Sequence, residues 1–121
     1  MKNYQSEDGV LWISDNEIKT ASPVQKIIEH HGVLVVLLET RQGIFDGNNV
    51  ECFDLEGKKL WTIEAPQYGP HLGDPSLPKS TYGNILKDIH GRLIGASVDG
   101  IYYVVNIEDG TVEVTPYPDF E

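Results

Sequence analysis

Cysteine is almost absent from this sequence, which contains Cys52 and no second cysteine. One cysteine cannot form an intramolecular disulfide, whereas small secreted domains usually depend on several such bonds. The N-terminal nine residues also lack the apolar segment of a secretory signal. These two absences predict a cytoplasmic protein.

Long hydrophobic runs are absent too, and basic residues are scarce. The longest apolar run, residues 33–38, has the length of a strand and falls short of the roughly 18 residues of a membrane-spanning helix. Nine Lys and Arg residues face nineteen Asp and Glu residues, which gives a formal net charge of -10. That charge repels phosphate backbones and anionic lipids, so neither nucleic acid nor a membrane is an expected partner. It would either speed association with a basic protein or simply keep the protein soluble.

Helical periodicity is the third missing feature. Val, Ile, Tyr and Trp cluster in short runs bounded by Gly, Asn, Asp and Pro, a pattern that is typical of strands. Strands are predicted at residues 10–14, 17–20, 24–30, 33–40, 49–55, 59–65, 84–89, 92–98, 101–107 and 111–116. Five dipeptides that end in glycine supply the positive φ that tight hairpins require, which predicts antiparallel pairing. They are His31-Gly32, Glu56-Gly57, His90-Gly91, Asp99-Gly100 and Asp109-Gly110.

A stretch rich in proline and glycine, residues 66–82, separates two similar parts of the chain. Both parts follow the order strand, His-Gly turn, two strands and acidic-Gly turn, which defines repeat 1 at about 24–65 and repeat 2 at about 83–116. A hairpin at 10–20 is expected to add strands at one edge. The chain is predicted to form a single domain, residues 1–121.

The predicted fold is all-β and antiparallel, with two four-stranded, blade-like meanders. One such meander cannot bury its apolar face alone and needs a neighbour. The two repeats are therefore expected to pack as a sandwich, a half-propeller or a half-barrel. Pairing with a second chain would solve the same problem, so the oligomeric state is left open.

Three segments of the repeats, 52–61, 90–95 and 105–112, resemble the blade repeats of quinoprotein-type β-propellers. The shared pattern places an Asp or Asn before a hairpin glycine and an aromatic residue beyond it. The resemblance implies blade-like sheets, but closed propellers have about four to eight blades and only two such repeats are found here. A cofactor site on the axis of a closed ring is therefore not implied, and no cofactor is expected.

The titratable side chains do not form an expected catalytic or metal site. His30 and His31 are strand neighbours that point to opposite faces, and His31 and His90 are interpreted as occupying the same turn in the two repeats. Cys52 lies in a predicted strand without a basic neighbour and is expected to be buried and unreactive. The acidic-Gly turns are explained by hairpin geometry alone. We assign no catalytic, metal-binding or cofactor-binding residue.

Two segments are candidates for partner binding. One is the long loop at 66–82, because aromatic residues on a proline-stiffened loop are typical of interface anchors. The other is the tip of an insertion at 39–49 that lengthens one hairpin of repeat 1. The expected partner-binding residues are Tyr68, His71, Asp74, Tyr82, Phe45 and Asp46. Alternatively, the loop packs Leu72 and Leu77 over the edge of the core, and the tip folds back on its sheet.

The absence of catalytic signatures, the acidity and the aromatic loop together predict a non-catalytic protein-binding module. By analogy, this combination resembles small acidic toxin-immunity proteins, which would make a basic toxin or nuclease the partner. One alternative is a ligand-binding or enzymatic β-barrel with a pocket between the repeats that uses His31, His71 or His90. Another is a structural protein whose exposed strands pair with a second chain.

Overall fold

The computed structural model describes residues 4–40 and 46–115. Within these ranges the regular structure is almost entirely strand, with one short 3-10 helix at Pro70–Leu72. The strands are β1 (Tyr4–Glu7), β2 (Val10–Ile13), β3 (Asn16–Lys19), β4 (Val24–His30), β5 (Val33–Leu38), β6 (Val50–Asp54), β7 (Lys59–Thr62), β8 (Tyr82–Lys87), β9 (Leu93–Ser97), β10 (Tyr102–Val105) and β11 (Val112–Val114).

The strands form three antiparallel sheets, which we call sheets A, B and C. Sheet A has the order β1-β2-β3, sheet B the order β4-β5-β6-β7, and sheet C the order β11-β10-β9-β8. Within each sheet, strands that are consecutive in the sequence pair with each other, so each sheet is a meander. Sheets B and C are the two predicted repeats. The prediction of an all-β fold built on two four-stranded antiparallel meanders is confirmed.

The N-terminal hairpin does not extend either repeat, so the prediction that residues 10–20 add strands to an edge is wrong. β2 pairs with β3 on one side and on the other side with β1, a strand that the sequence analysis did not assign. Leu11 and Ile13 of β2 are fully buried in a cluster with side chains of sheet B. The hairpin therefore packs on the face of sheet B, where it removes apolar surface from water.

Sheet B lies between the other two sheets. On β5, Leu34, Val36 and Leu38 pack in the cluster shared with sheet A, whereas Val35 and Leu37 pack in the cluster shared with sheet C. Successive residues of a strand point to opposite faces, so a strand covered on both faces has to be apolar at every position. This requirement explains the unbroken apolar run that the sequence contains at 33–38.

The predicted turn glycines all adopt positive φ, but the two His-Gly turns differ. In the first, His31 and Gly32 have φ values of 50° and 80°, and they form the two-residue turn between β4 and β5. In the second, His90 belongs to a longer turn, in which Asp88 Oδ1 accepts hydrogen bonds from the backbone N–H groups of His90 and Arg92. His31 and His90 therefore occupy the same turn of the two repeats, between the first and second strands, as interpreted from the sequence, but the two turns differ in length.

Candidate functional site

The long loop, the end of the insertion and a turn of sheet C meet on one surface. The backbone N–H of Lys79 donates to Asp46 Oδ1 at 2.9 Å, and the N–H of Val98 donates to the carbonyl of Thr81 at 3.0 Å. The Ser80 hydroxyl donates to Asp99 Oδ2. We call this surface, made of residues 46–49, 66–81 and 98–100, the loop face. The described end of the insertion, residues 46–49, thus lies beside the long loop.

Hydrogen bonds hold the first part of the loop against sheet C. Gln67 Nε2 donates to the carbonyl of Val112 at 2.9 Å, while the N–H of Val112 donates to Glu64 Oε1 at 3.1 Å. The backbone N–H of Tyr68 donates to the buried hydroxyl of Tyr103 at 3.1 Å. The backbone N–H and carbonyl of Val112 are therefore both hydrogen-bonded to side chains. Because β11 lies at the edge of sheet C, these bonds protect the edge from pairing with another chain.

Four of the predicted contact residues lie on the loop face. Tyr68 is 49% exposed, His71 is partly buried in the 3-10 helix, and both Asp74 and Asp46 are exposed. Phe45 lies outside the described residues.

Tyr82 is a core residue, and its expected role as an interface anchor needs correction. Its side chain is 1% exposed, and its ring meets the ring of Tyr103 edge to face at a centroid distance of 6.0 Å. Its hydroxyl donates to the carbonyl of Glu64 at 2.7 Å. Burial, followed by the neighbouring Tyr103 and Glu64, raises the pKa of Tyr82. Tyr82 stabilises the base of the loop from inside the protein.

The sequence analysis did not assign three apolar residues of the loop face to partner binding. Leu72 is 61% exposed and Leu77 is 44% exposed, so the alternative in which they pack over the core edge is wrong. Val98 is 60% exposed in the turn between β9 and β10. The sequence did offer one indication for Val98. The Asp99-Gly100 dipeptide is sufficient to form the turn, so the apolar residue before it is not required by the turn.

The charges of the loop face are three carboxylates and one ammonium group: Asp46, Asp74, Asp99 and Lys79. The side-chain hydroxyl and backbone N–H of Ser76 both donate to Asp74, and these hydrogen bonds lower the pKa of the carboxyl group. Within the described ranges no Lys or Arg forms an ion pair with any of the three carboxylates. The surface is therefore acidic, and its carboxylates have no cationic partner among the described residues.

Ser80, Asp99 and His71 surround Gly69. A Cβ atom at Gly69 would lie 2.6 Å from Ser80 Oγ and 3.1 Å from Asp99 Oδ2, so only glycine fits there. The Ser80 hydroxyl is bonded to Asp99, and His71 Nδ1 is buried without a hydrogen-bond partner in the described structure. Ser80 and His71 are therefore not joined by a hydrogen bond in the described structure.

The space between sheets B and C is filled by side chains. It contains a cluster of buried, mainly apolar residues that includes Trp61, Tyr82 and Tyr103. An open cavity of about 510 Å³ lies elsewhere, lined by residues 8–10 and 19–23, and contains no histidine. Among the described residues, His31 and His90 are exposed, and the cluster between the repeats contains none of the histidines on which the enzyme alternative depends.

In residues 4–40 and 46–115, no three His, Cys, Asp or Glu side chains are grouped so that they could hold a metal ion. The same part of the chain contains no helix of sufficient length and apolarity to cross a bilayer.

Comparison with known proteins gives one family match. No curated protein and no solved structure is detectably similar to this chain. A family model described as a domain of unknown function, DUF7957, matches residues 1–117. Because the match covers nearly all of its length, the chain belongs to the DUF7957 family.

Proposed function

We propose that this chain is a non-catalytic protein-binding module whose loop face binds and inhibits a basic protein, in the manner of a toxin-immunity protein. The observation that carries the proposal is the exposure of large apolar side chains on one surface. They are Tyr68, Leu72, Leu77 and Val98. Clustered exposed apolar residues on a small protein mark interaction surfaces more often than scattered ones do.

The loop face is ordered before any partner arrives, which favours tight binding. Hydrogen bonds to Tyr103, Asp46 and Val98 hold the loop near its beginning and near its end. Binding to a preformed loop avoids the ordering cost of about 0.5–1.5 kcal/mol for each flexible side chain. Most of the free energy gained by burying the apolar residues can therefore appear as binding affinity.

Charge determines the kind of partner that fits. The loop face carries three carboxylates and one ammonium group, and the whole chain has a formal net charge of -10. A basic partner would be steered to this surface, and like-charged proteins would be rejected. A toxin or nuclease with a cationic active site meets this description, and covering that site would inhibit it.

We also propose that the two repeats are related to propeller blades and that the protein is cytoplasmic. Sheets B and C share one apolar cluster, as neighbouring blades do, and sheet A covers the other face of sheet B. Cys52 is free and buried, which suits a reducing compartment.

The test is capture of binding proteins from the source cells at low and moderate salt, with three tagged baits. The first bait is the wild type, the second carries Leu72→Ser and Tyr68→Ser, and the third carries the matched control Leu60→Ser. Leu60 is 44% exposed on β7, outside the loop face. We expect one basic polypeptide at equal stoichiometry on the wild-type and control baits. Its retention should fall at higher salt and be lost with the double variant.

The affinity of the purified partner for the wild type and for the double variant then tests whether the loop face is the binding surface. Truncating an anchor residue costs about 2 kcal/mol or more, and two of them about 4 kcal/mol, so the double variant should bind roughly 700-fold more weakly. The wild-type protein should also inhibit the partner's activity in proportion to its occupancy. Equal binding by the double variant would contradict the assignment of the loop face. Retention of a second copy of this chain alone would favour the assembly role instead.

A further inference from the structure

Four Asp-Gly pairs occur in the chain, and all of them lie outside the strands. They are Asp8-Gly9, Asp46-Gly47, Asp99-Gly100 and Asp109-Gly110. Such a pair is chemically reactive, because glycine has no side chain to hinder the attack of its backbone nitrogen on the carboxyl carbon of the preceding aspartate. In a folded protein, the reaction depends on how firmly the structure holds these two groups.

Hydrogen bonds hold both reacting groups of the pair Asp99-Gly100. The Ser80 hydroxyl donates to Asp99 Oδ2, and the N–H of Gly100 donates to the carbonyl of Ser97 at 3.0 Å. The nitrogen can reach the carboxyl carbon only after both bonds break. This pair is therefore protected.

Two further pairs are protected in the same way. Asp109 Oδ1 accepts from the N–H of Thr111 at 3.0 Å and from its hydroxyl at 2.7 Å. The N–H of Gly110 donates to the carbonyl of Asn106 at 2.8 Å. The Oδ1 atom of Asp46 accepts a backbone N–H of the long loop at 2.9 Å. Each of these carboxylates is held by at least one hydrogen bond.

The pair Asp8-Gly9, in the turn between β1 and β2, lacks this protection. Asp8 is exposed, and within residues 4–40 and 46–115 its carboxylate accepts no hydrogen bond and the N–H of Gly9 donates none. The carbonyl of Gly9 accepts from the N–H of Thr20 at 2.9 Å, which fixes the side of the turn that leads into β2. Asp8 itself has a φ of 47°, in a region that residues other than glycine rarely adopt.

The strand before this turn is weakly anchored. Tyr4 is the one partly buried residue of β1, and its other three residues are exposed. Segments with few buried contacts open locally at a low cost in free energy. Such an opening allows the backbone and side chain of Asp8 to rotate until the carboxyl carbon meets the nitrogen of Gly9.

We propose that Asp8 is the residue at which this protein forms isoaspartate, a spontaneous modification that requires only water. The nitrogen of Gly9 loses its proton and attacks Cγ of the protonated Asp8 carboxyl group. A C–N bond forms and one water leaves, which gives a five-membered succinimide ring. Water then adds to either ring carbonyl and breaks its C–N bond. The product is either the original aspartate or isoaspartate, whose main chain runs through Cβ and Cγ.

The modification changes the turn as well as the residue. Isoaspartate adds one carbon atom to the main chain between Glu7 and Val10, which the two-residue turn now holds opposite each other. The pairing of β1 with β2 then loses its register, whereas β2 stays paired with β3. We expect β1 to detach from sheet A in the modified protein. This inference does not depend on the proposed function.

The test follows isoaspartate at all four pairs of the wild type during storage at neutral pH, in native buffer and in urea. Electron-transfer fragmentation of the peptides locates the modified residue. In urea the four pairs should react at similar rates. In native buffer Asp8 should react at close to its urea rate, and Asp99 and Asp109 at least about tenfold more slowly, since two hydrogen bonds must break. Equal slowing of all four pairs, or a faster reaction at another pair, would overturn the proposal.

Two variants test the cause and the consequence. Ser80→Ala frees the carboxylate of Asp99 and should speed its reaction about fivefold, the effect of one hydrogen bond. Asp8→Glu keeps the charge but should abolish the modification, because the larger ring forms far more slowly. In hydrogen exchange, the amides of β1 should lose protection in the stored wild type and keep it in stored Asp8→Glu. An unchanged rate at Asp99 in Ser80→Ala, or equal loss of protection in both stored proteins, would contradict the inference.

Discussion

The side-chain amide of Asn49 pairs with the backbone of Tyr82 as a neighbouring strand would. Asn49 Nδ2 donates to the carbonyl of Tyr82 at 2.9 Å, and the N–H of Tyr82 donates to Asn49 Oδ1 at 2.9 Å. Nδ2 also donates to the carbonyl of Leu38 at 3.1 Å. Asn49 is fully buried, so one side chain joins the end of β5 to the point where the long loop returns as β8.

Replacing this side chain should be costly. Asn49→Ala leaves three buried backbone groups of Leu38 and Tyr82 without partners, and each unsatisfied group costs about 1–3 kcal/mol. We expect a loss of about 3 kcal/mol in the free energy of unfolding, measured by urea denaturation. The exposed neighbour Asn48 provides the control, and Asn48→Ala should change stability by less than about 0.5 kcal/mol. Similar effects of the two substitutions would contradict the role of Asn49.

Gly110 and Gly91 both adopt a positive φ in a turn, but only at Gly110 would a side chain also collide with a neighbouring residue. Gly110 has a φ of 79°, and a Cβ there would lie 2.5 Å from Cε3 of Trp61, whereas Gly91 has a φ of 75° and open space around it. Gly91→Ala should destabilise by about 1–2 kcal/mol because of the backbone alone. Gly110→Ala should cost about 1–3 kcal/mol more, since it also disturbs the packing of Trp61. Thermal or urea unfolding of both variants measures the difference, and equal losses would rule out the steric contribution.

Asp88 should make the protein sensitive to acid. Its side chain is fully buried, and burial alone would raise its pKa. Hydrogen bonds from the Arg92 guanidinium group and from the N–H groups of Arg92 and His90 outweigh this effect, so the pKa of Asp88 lies below its ordinary 3.8. The unfolded chain binds the proton more readily. Stability from Asp88 is thus present above pH 3.8 and is lost as the pH falls through the lowered pKa.

The variant Asp88→Asn should therefore be less stable than the wild type at neutral pH but lose less stability in acid. Urea midpoints measured between about pH 5 and about pH 2.5 give the two slopes. Some acid dependence should remain, since hydrogen bonds to Ser76 and Thr111 also lower the pKa values of Asp74 and Asp109. The exposed residue Asp15 provides the control variant Asp15→Asn. A slope in Asp88→Asn as steep as that of the wild type would contradict the assignment.

The strands and turns of the repeats could be predicted because their patterns are local. The run at 33–38 is apolar at every position because sheets cover both faces of β5, and the turn glycines have to adopt positive φ. β1 was missed because only Tyr4 of its four residues is partly buried and the others are exposed and polar. A strand that is held mainly by backbone hydrogen bonds leaves little apolar pattern in its sequence.

The candidate site was predicted only in part, because some of its features depend on local sequence and others on tertiary contacts. Proline and glycine revealed the loop, but whether an aromatic residue at its end faces inward depends on where β8 begins. The pairing shifts between Tyr82 and Asn84, and this irregularity at Gly83 obscured the start of the strand. The exposure of Val98 depends on the neighbouring loop, and no periodic pattern encodes it. Tertiary contacts therefore decide which residues of the loop face reach solvent.

Cys52 gives a direct test of the packing of sheet B against sheet C. It is fully buried, and burial, followed by the charge of Asp54, raises its pKa to about 12. The thiolate is the reactive form of cysteine, so alkylation by iodoacetamide at about pH 8 should be undetectable in the folded protein and complete in urea. Mass spectrometry of the intact chain measures both. Alkylation of the folded wild type at the rate of the unfolded chain would mean that the cluster around Cys52 opens freely to solvent, and would contradict the packing described here. A rate that rises only with urea concentration would instead report the cooperative opening of the two sheets.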